Sequence, residues 1–305
     1  MPGTTIRERS FFRVASWNIE WYPAGQRGGQ EQATNWQTAA VAHLINQIKP
    51  DVLATQEIRN IGALQRLNRN IGLWPFSHLA ASIFYQKNDT ARDLDRIQQQ
   101  CGFMARHPWD DLWEVDFTPI AGADRPVRGW LAARWKVGPL TFTIYNGHLK
   151  SDSGAGRPEE RAANYRNRRA AIAELKADLD RHDLDPYRDK ILVLGNFNTD
   201  YFLADAEGAK IFTDLDRLGF HMAQPPVKRE EAITLPARKG VEEIPDQVVD
   251  YIFLSSGWRG IEPELKILAQ GASKKKDVFG GDAPGLASDH YPVYIDIPLG
   301  PENPR

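Results

Sequence analysis

Polar residues that can bind a metal ion or a phosphate group recur next to short apolar runs of this sequence. They fall in six stretches, SWNIEW, ATQEI, YNGHLKS, GNFNTD, VVDYIF and SDHYP. Taken singly they have ordinary explanations, because Asn favours loops, a strand-end Glu is usually solvated and a single His often belongs to the core. Six such coincidences indicate one shared site, made of Asn18, Glu57, Asn146, His148, Asn196, Asn198, Asp250, Asp289 and His290.

The residue types suit the metal-assisted attack of water on a phosphoester. The carboxylates of Glu57 and Asp289 are hard oxygen donors of the kind that Mg²⁺, Mn²⁺ and Ca²⁺ prefer. Histidines can stabilise the charge of a phosphate or an oxyanion, and an Asp beside a His fixes its tautomer and favours its protonated form. A structural zinc site is not expected, because Cys101 is the only cysteine.

Strand and helix patterns alternate along the chain and would position these residues. Helices are predicted at 33–48, where apolar residues share one face, at 61–70, at 158–182 after Pro158, and at 206–218. Strands are predicted at 11–19, 51–57, 79–86, 100–105, 112–118, 129–137, 139–149, 190–195, 248–255, 264–269 and 291–297, with long loops at 222–246 and 270–288. This order predicts one α/β domain over residues 11–298, with packed sheets between helical layers and tails at 1–10 and 299–305.

The bulk composition is that of a soluble globular protein. The 305 residues are 42% hydrophobic and 26% charged, and the net charge of -2 excludes a protein that holds nucleic acid by overall charge alone. No run approaches the roughly 20 apolar residues of a membrane span. The N-terminal stretch MPGTTIRERSFFRV has no apolar run of signal-peptide length. We therefore expect a soluble, monomeric protein without stable membrane association, either cytoplasmic or secreted with its signal removed.

The six stretches, in this order, resemble the endonuclease/exonuclease/phosphatase superfamily, which includes deoxyribonuclease I, abasic-site endonucleases, bacterial sphingomyelinases and inositol-polyphosphate 5-phosphatases. The resemblance runs from about residue 12 to 297 and implies a four-layer α/β sandwich of the deoxyribonuclease I type. Abasic-site enzymes carry Tyr-x-Pro-Asn where this chain has YNGH, so His148 implies the histidine-containing branch. The stretch from HLKS to RRAAI is similar to bacterial nuclease-type members, often secreted, which implies a bacterial origin.

The resemblance also implies a metal site. Glu57 would be the principal ligand of a divalent cation, and Asn18 and Asp289 would help to hold it. Mg²⁺ is the expected ion, with Mn²⁺ or Ca²⁺ as alternatives.

The same resemblance implies catalytic roles for four further residues. His148 would contact the scissile phosphate, and would stabilise the transition state or protonate the leaving group. Asn198 would donate a hydrogen bond to a phosphate oxygen, and His290 would bind phosphate or take part in acid–base chemistry. Asp250 would orient one of the two histidines, and the sequence does not distinguish which.

Substrate-binding residues are expected near these motifs: Arg59, Tyr145, Asn146, Lys150 and Arg168. The stretch QEIR resembles Gln-Glu-Val-Arg of deoxyribonuclease I, so Arg59 either reaches into a DNA minor groove or is a surface charge. The basic residues that follow His148 either line the mouth of the site or form a solvated helix face paired with glutamates. These basic residues are Lys150, Arg157, Arg161, Arg166, Arg168 and Arg169.

One position departs from the family pattern. The family has Gly-Asp-x-Asn where this chain has Gly195-Asn196-Phe197-Asn198, and the Asp is the group proposed to activate water or hold a metal. An amide has nearly the same shape but cannot accept a proton at neutral pH. Asn196 could be an Asp-to-Asn replacement that traps intact substrate, which we favour, a natural variant that still turns over, or the mark of an inactive binding module.

The sequence thus predicts a divalent-metal-dependent phosphodiesterase, with a nuclease that cleaves DNA or RNA favoured and with catalysis impaired by Asn196. One alternative is a phosphatase or a sphingomyelinase- or phospholipase-type hydrolase of the same superfamily. The other is a catalytically inactive module that binds nucleic acid or phosphate.

Overall fold

The structure is a computed structural model that describes residues 9–23, 31–82, 99–115, 128–152, 156–224, 228–237, 245–272 and 287–299. Parts of the predicted strands 79–86 and 112–118, of both predicted long loops and of both tails lie outside the described residues. The first half of the chain contains β1 Phe11–Tyr22, α1 Glu31–Ile48, β2 Val52–Ile58, α2 Ile61–Asn70, β3 His78–Ala81, β4 Gln100–Ala105, β5 Asp111–Glu114, β6 Trp130–Val137 and β7 Leu140–His148. The second half contains α3 Pro158–Arg181, β8 Ile191–Asn196, α4 Lys210–Arg217, β9 Phe220–Met222, β10 Asp250–Ser255, β11 Lys266–Ile267 and β12 Val293–Pro298.

In the described part of the chain the strands form two six-stranded sheets. The first sheet has the order β11-β12-β1-β2-β4-β3 and the second has the order β5-β6-β7-β8-β10-β9. The pairs β1–β2 and β7–β8 are parallel and their other neighbours are antiparallel, so both sheets are mixed.

Three apolar clusters define four layers. One cluster lies between the sheets and contains Leu192, Leu194 and Phe103. A second joins α1 and α2 to the outer face of the first sheet, and a third joins α3 and α4 to the outer face of the second. The four-layer α/β sandwich is thereby confirmed. The strand ILVLGN is apolar throughout because both of its faces are buried.

A few predicted boundaries differ from the structure. The predicted helix 206–218 begins only at Lys210, because the Asp205 carboxylate accepts a hydrogen bond from the Gly208 backbone and closes a turn instead. The strand β9 has three residues, too few to show a periodic pattern. No helix among the described parts of the chain is long and apolar enough to cross a membrane.

The topology brings the polar strand ends to one edge. Parallel strands end at the same side of a sheet, so the ends of β1 and β2 lie together, as do those of β7 and β8. The strands β10 and β12 run antiparallel to β8 and β1, so their beginnings reach the same edge.

Candidate active site

The first sheet contributes Asn18 and Glu57. The Asn18 amide donates to Glu57 Oε1 at 3.0 Å, and the Trp21 backbone N–H donates to Glu57 Oε2 at 3.1 Å. Glu57 has a φ of 58° and lies where the β2–β4 pairing shifts register between Thr55 and Ile58. A residue held in this left-handed region costs about 1–3 kcal/mol. This local distortion directs the Glu57 carboxylate to the edge of the sheet.

The second sheet contributes three residues in one row across adjacent strands. His148 on β7 and Asp250 on β10 are both register partners of Asn196 on β8. Residues paired in register point to the same face, so the three side chains lie side by side, and all are buried. His148 Nε2 lies 3.5 Å from Glu57 Oε1, which joins the two halves of the site.

The buried pair of Asp250 and His290 stands beside this row. Asp250 Oδ2 lies 2.7 Å from His290 Nδ1, so the carboxylate orients this histidine. The other ring nitrogen, Nε2, lies 3.5 Å from Asn18 Nδ2 and 3.7 Å from Asp289 Oδ1 and faces the site. The His290 backbone is fixed by the indole N–H of Trp17, which donates to the His290 carbonyl at 2.9 Å.

The two histidines have pKa values displaced in opposite directions. Burial and the positive charges of Arg128, His290 and Lys150 hold the pKa of His148 well below its ordinary value. Burial also opposes protonation of His290, but the charge and hydrogen bond of Asp250 prevail and raise its pKa. These shifts favour the neutral form of His148 and, relative to an ordinary histidine, the protonated form of His290.

Asn198 and Arg128 hold the turn after His148. The Asn198 amide and the Arg128 guanidinium both donate to the Leu149 carbonyl at 2.9 Å. Asn196 Oδ1 accepts from the Asn198 backbone N–H at 2.8 Å and thereby fixes the turn after β8.

Arg128 is a site neighbour that the sequence patterns did not predict. Burial lowers its pKa, while the nearby Glu57 carboxylate acts in the opposite direction. It lies outside every motif, but it precedes β6, whose first residue Trp130 pairs with Gly147 in the adjoining β7. Residues just before β6 must therefore lie near those just after β7, which is the signal that could have identified Arg128.

Three of the predicted substrate-binding residues lie in the interior. Tyr145 is fully buried on the outer face of β7 and its hydroxyl donates to Asp178 Oδ2 at 2.9 Å, because alternate residues of a strand face opposite sides. Asn146 is also fully buried. Arg168 is buried and donates to the Lys150 carbonyl at 2.6 Å and to the Asp152 carboxylate at 3.1 Å.

The polar groups of Tyr145, Asn146 and Arg168, which the sequence predicts to contact substrate, are hydrogen-bonded to other residues of the protein. Lys150 and Arg59 are partly exposed. The positive charges of the basic cluster are partly neutralised, since Arg157 pairs with Glu160 and Arg169 pairs with Asp214.

The donor set fits a divalent cation of the Mg²⁺ type. No group of three or more His, Cys, Asp or Glu side chains forms a metal cage within the described ranges. Mg²⁺ needs no such cage, because it usually binds through about one or two carboxylates, several waters and substrate phosphates. Glu57 and Asp289 retain 14% and 19% side-chain exposure, which leaves each carboxylate reachable at the mouth of the site.

The comparison with protein families agrees with this geometry. The model of the Endonuclease/Exonuclease/phosphatase family matches residues 15–290, and the chain belongs to this family. The family comprises nucleases, phosphodiesterases and phosphatases and is generally divalent-metal dependent. A search of curated proteins finds no match.

Solved structures share the fold at low sequence identity. An endonuclease/exonuclease/phosphatase family protein from Leptotrichia buccalis C-1013-b has a TM-score of 0.63 at 13% identity and covers 94% of this chain and 100% of its own. SmcL has a TM-score of 0.64 at 18% identity, covering 94% and 99%. D. rerio TDP2 complexed with single strand DNA product has a TM-score of 0.60 at 16% identity, covering 94% and 99%. At these identities the likeness concerns the fold.

Proposed function

We propose that the protein is a divalent-metal-dependent phosphodiesterase that hydrolyses DNA or RNA. The observation that carries the proposal is the buried Asp250–His290 pair, which lies at the shared sheet edge next to the Asn18–Glu57 pair. A histidine whose protonation is favoured, beside a partly exposed hard carboxylate, suits the binding of a phosphodiester and a divalent cation together.

Each side chain then has one task. Glu57, with Asn18 and Asp289, would hold the cation, which supplies Lewis-acid stabilisation of charge on a phosphate oxygen. His290, whose protonation Asp250 favours, donates a hydrogen bond to the phosphoryl group from Nε2.

The remaining two residues complete the phosphate site. His148 contributes a neutral ring at the scissile phosphate, because its pKa is lowered. Asn198 contributes an amide at the same edge, beside Asn196.

Asn196 limits the rate in this proposal. Its Oδ1 holds the Asn198 backbone as an Asp oxygen would, so the shape of the turn does not need the acid. The amide cannot accept a proton from water, and a positioned general base typically contributes ~10²–10⁴-fold in rate. The chain therefore binds its substrate and cleaves it slowly.

An exposed aromatic pair favours nucleic acid as the substrate. Tyr201 and Phe202 follow Asn198 by three and four residues, are 51% and 40% exposed, and meet edge to face with ring centroids 5.6 Å apart. Base stacking on such rings is worth about 1–3 kcal/mol per base. The single-stranded DNA product bound to D. rerio TDP2 is consistent with this choice. The alternatives are a phosphatase or phospholipase-type hydrolase and an inactive binding module.

The test compares the unsubstituted chain with Asn196→Asp on plasmid DNA, single-stranded DNA, RNA, sphingomyelin and inositol phosphates, each with Mg²⁺, Mn²⁺ or Ca²⁺. We expect metal-dependent cleavage of a nucleic acid that rises with the acid in place. Asn70→Asp is the matched control, because Asn70 is exposed at the end of α2. Cleavage of lipid or inositol substrates alone would refute the nuclease proposal. Inactivity on every substrate would support the binding module.

A further inference from the structure

Asn146 belongs to the second sheet, but the hydrogen bonds of its amide are made to the first. Its Oδ1 accepts from Gln56 Nε2 at 2.7 Å. Its Nδ2 donates to the Thr55 carbonyl at 3.1 Å and to the Gly102 carbonyl at 2.9 Å. The side chain is fully buried, so these contacts cross the apolar space between the sheets.

The acceptors of Asn146 lie beside the distortion that carries Glu57. Thr55 and Gly102 form the last regular pair of the β2–β4 ladder before the register shifts. A bulge interrupts the ladder, and the backbone groups beside it need other partners. The Asn146 amide supplies a donor to both carbonyls of that pair.

The same side chain ties together the strands that carry Glu57 and His148. Gln56 directly precedes Glu57, and its Nε2 also donates to Ser16 Oγ at 3.1 Å. Asn146 precedes His148 by two residues and therefore shares its face of β7. The Gln56–Asn146 hydrogen bond thus joins the same two strands as the 3.5 Å contact of His148 Nε2 with Glu57 Oε1, one residue earlier on β2 and two residues earlier on β7.

Two buried oxygens in this polar layer, Thr55 Oγ1 and Gln56 Oε1, have no hydrogen-bond partner among the described residues. Unpaired buried polar atoms cost free energy, so an apolar layer would stabilise the fold better. The polar layer is therefore better explained by its positioning of the bulge that carries Glu57 than by a contribution to stability.

We propose that Asn146 is a positioning residue that fixes the bulge of β2 and so holds the Glu57 carboxylate in the site. It does not contact substrate. The proposal rests on the proposed function insofar as Glu57 holds the cation. The placement of Glu57 can also be measured without any metal, because the Trp21 backbone N–H donates to Glu57 Oε2.

The test is amide hydrogen exchange at Trp21, followed by NMR without metal in Asn146→Leu and Asn146→Ser. The Leu variant keeps the branching at Cγ with two larger methyl groups, and the smaller Ser variant serves if Leu does not fold. We expect exchange at Trp21 to be at least tenfold faster than in the unsubstituted chain. Ser255→Ala is the matched control, because Ser255 is buried on β10 and its hydroxyl bonds the Ile191 and Asp189 backbones. This control should leave exchange at Trp21 unchanged relative to global unfolding.

A second measurement is the Mn²⁺ dissociation constant by titration calorimetry. Removal of a side chain that orients a metal ligand typically weakens binding by about 10–100-fold, and we expect this range for the Asn146 variants. Unchanged exchange at Trp21 in a folded Asn146 variant would overturn the positioning role. Equal Mn²⁺ affinity of the unsubstituted chain and Glu57→Gln would refute the metal site of the proposed function, and the exchange result would still decide the role of Asn146.

Discussion

Replacement of Asn196 by Asp should raise activity and lower the stability of the metal-free protein. Asn196 is the register partner of Asp250 in the antiparallel pair β8–β10. Paired residues of this kind have Cα atoms about 4.5–5.5 Å apart. Asn196→Asp therefore places a second carboxylate directly beside a buried one.

The size of the effect follows from this distance. Two like charges about 5 Å apart repel by roughly 3 kcal/mol at an effective dielectric constant of about 20. The protonated His290 attracts both carboxylates and offsets part of the repulsion. We expect the free energy of unfolding to fall by about 1–3 kcal/mol in EDTA, and bound Mg²⁺ to restore most of this loss.

The assay combines urea denaturation, with EDTA or with Mg²⁺, and hydrolysis of a labelled single-stranded oligonucleotide. The restored acid should increase kcat/KM by ~10²–10⁴-fold. The control Asn70→Asp should change neither the Mg²⁺-dependent gain in stability nor kcat/KM. If Asn196→Asp leaves both the metal-linked stability and the rate unchanged, position 196 does not face the reacting phosphate and the assignment of the site is wrong.

Three further predictions concern the histidine pair, the exposed rings and an ion pair. Asp250→Asn should lower the pKa of His290, because burial then acts unopposed, so that kcat/KM falls by ~10²–10⁴-fold at pH 7 and recovers in part at lower pH in a pH–rate profile. Phe202→Ala should raise KM for single-stranded DNA by about 5- to 100-fold through lost stacking while hydrolysis of bis(p-nitrophenyl) phosphate is unchanged. Burial acts to raise the pKa of Asp296, but the hydrogen bonds and positive charges of Arg13 and Lys266 together outweigh burial and lower it. The stabilising effect of Asp296 is therefore complete above the ordinary value of 3.8 and is lost as pH falls through the lower folded value. Asp296→Asn should therefore flatten the acid limb of a plot of unfolding free energy against pH.

Each of these three has an outcome that contradicts it. A pH–rate profile of Asp250→Asn that keeps its shape would show that Asp250 does not set the protonation of His290. If Phe202→Ala loses activity equally on single-stranded DNA and on bis(p-nitrophenyl) phosphate, the ring has a structural role. If the unfolding free energy falls equally steeply at acid pH in the unsubstituted chain and in Asp296→Asn, the Asp296 ion pair does not contribute to the acid dependence of stability.

The strand ends were predictable because their signal is local. A strand such as ILVLGN, apolar on both faces, must be central, and the polar residues that follow it must emerge at a sheet edge. The parallel pairs β1–β2 and β7–β8 then place Asn18, Glu57, His148 and Asn196 at matching ends.

The contacts between strands were not predictable from such patterns. The choice of His290 over His148 as the partner of Asp250 depends on how the two sheets pack. Asn146 looked like a substrate ligand because it adjoins His148, but its position in β7 turns it inward to the other sheet. Arg128 belongs to no motif and reaches the site only through the β6–β7 hairpin.

In the proposed mechanism Glu57 holds a divalent cation that is used in phosphodiester cleavage. The most direct measurement is the Mg²⁺ dependence of single-stranded DNA cleavage by Asn196→Asp, with and without the added substitution Glu57→Gln. Glu57→Gln keeps the shape of the side chain but removes its charge. We expect saturable Mg²⁺ activation in the single variant and its loss, together with at least a hundredfold lower rate, in the double variant. Equal rates and equal Mg²⁺ half-saturation in the two proteins would contradict the claim.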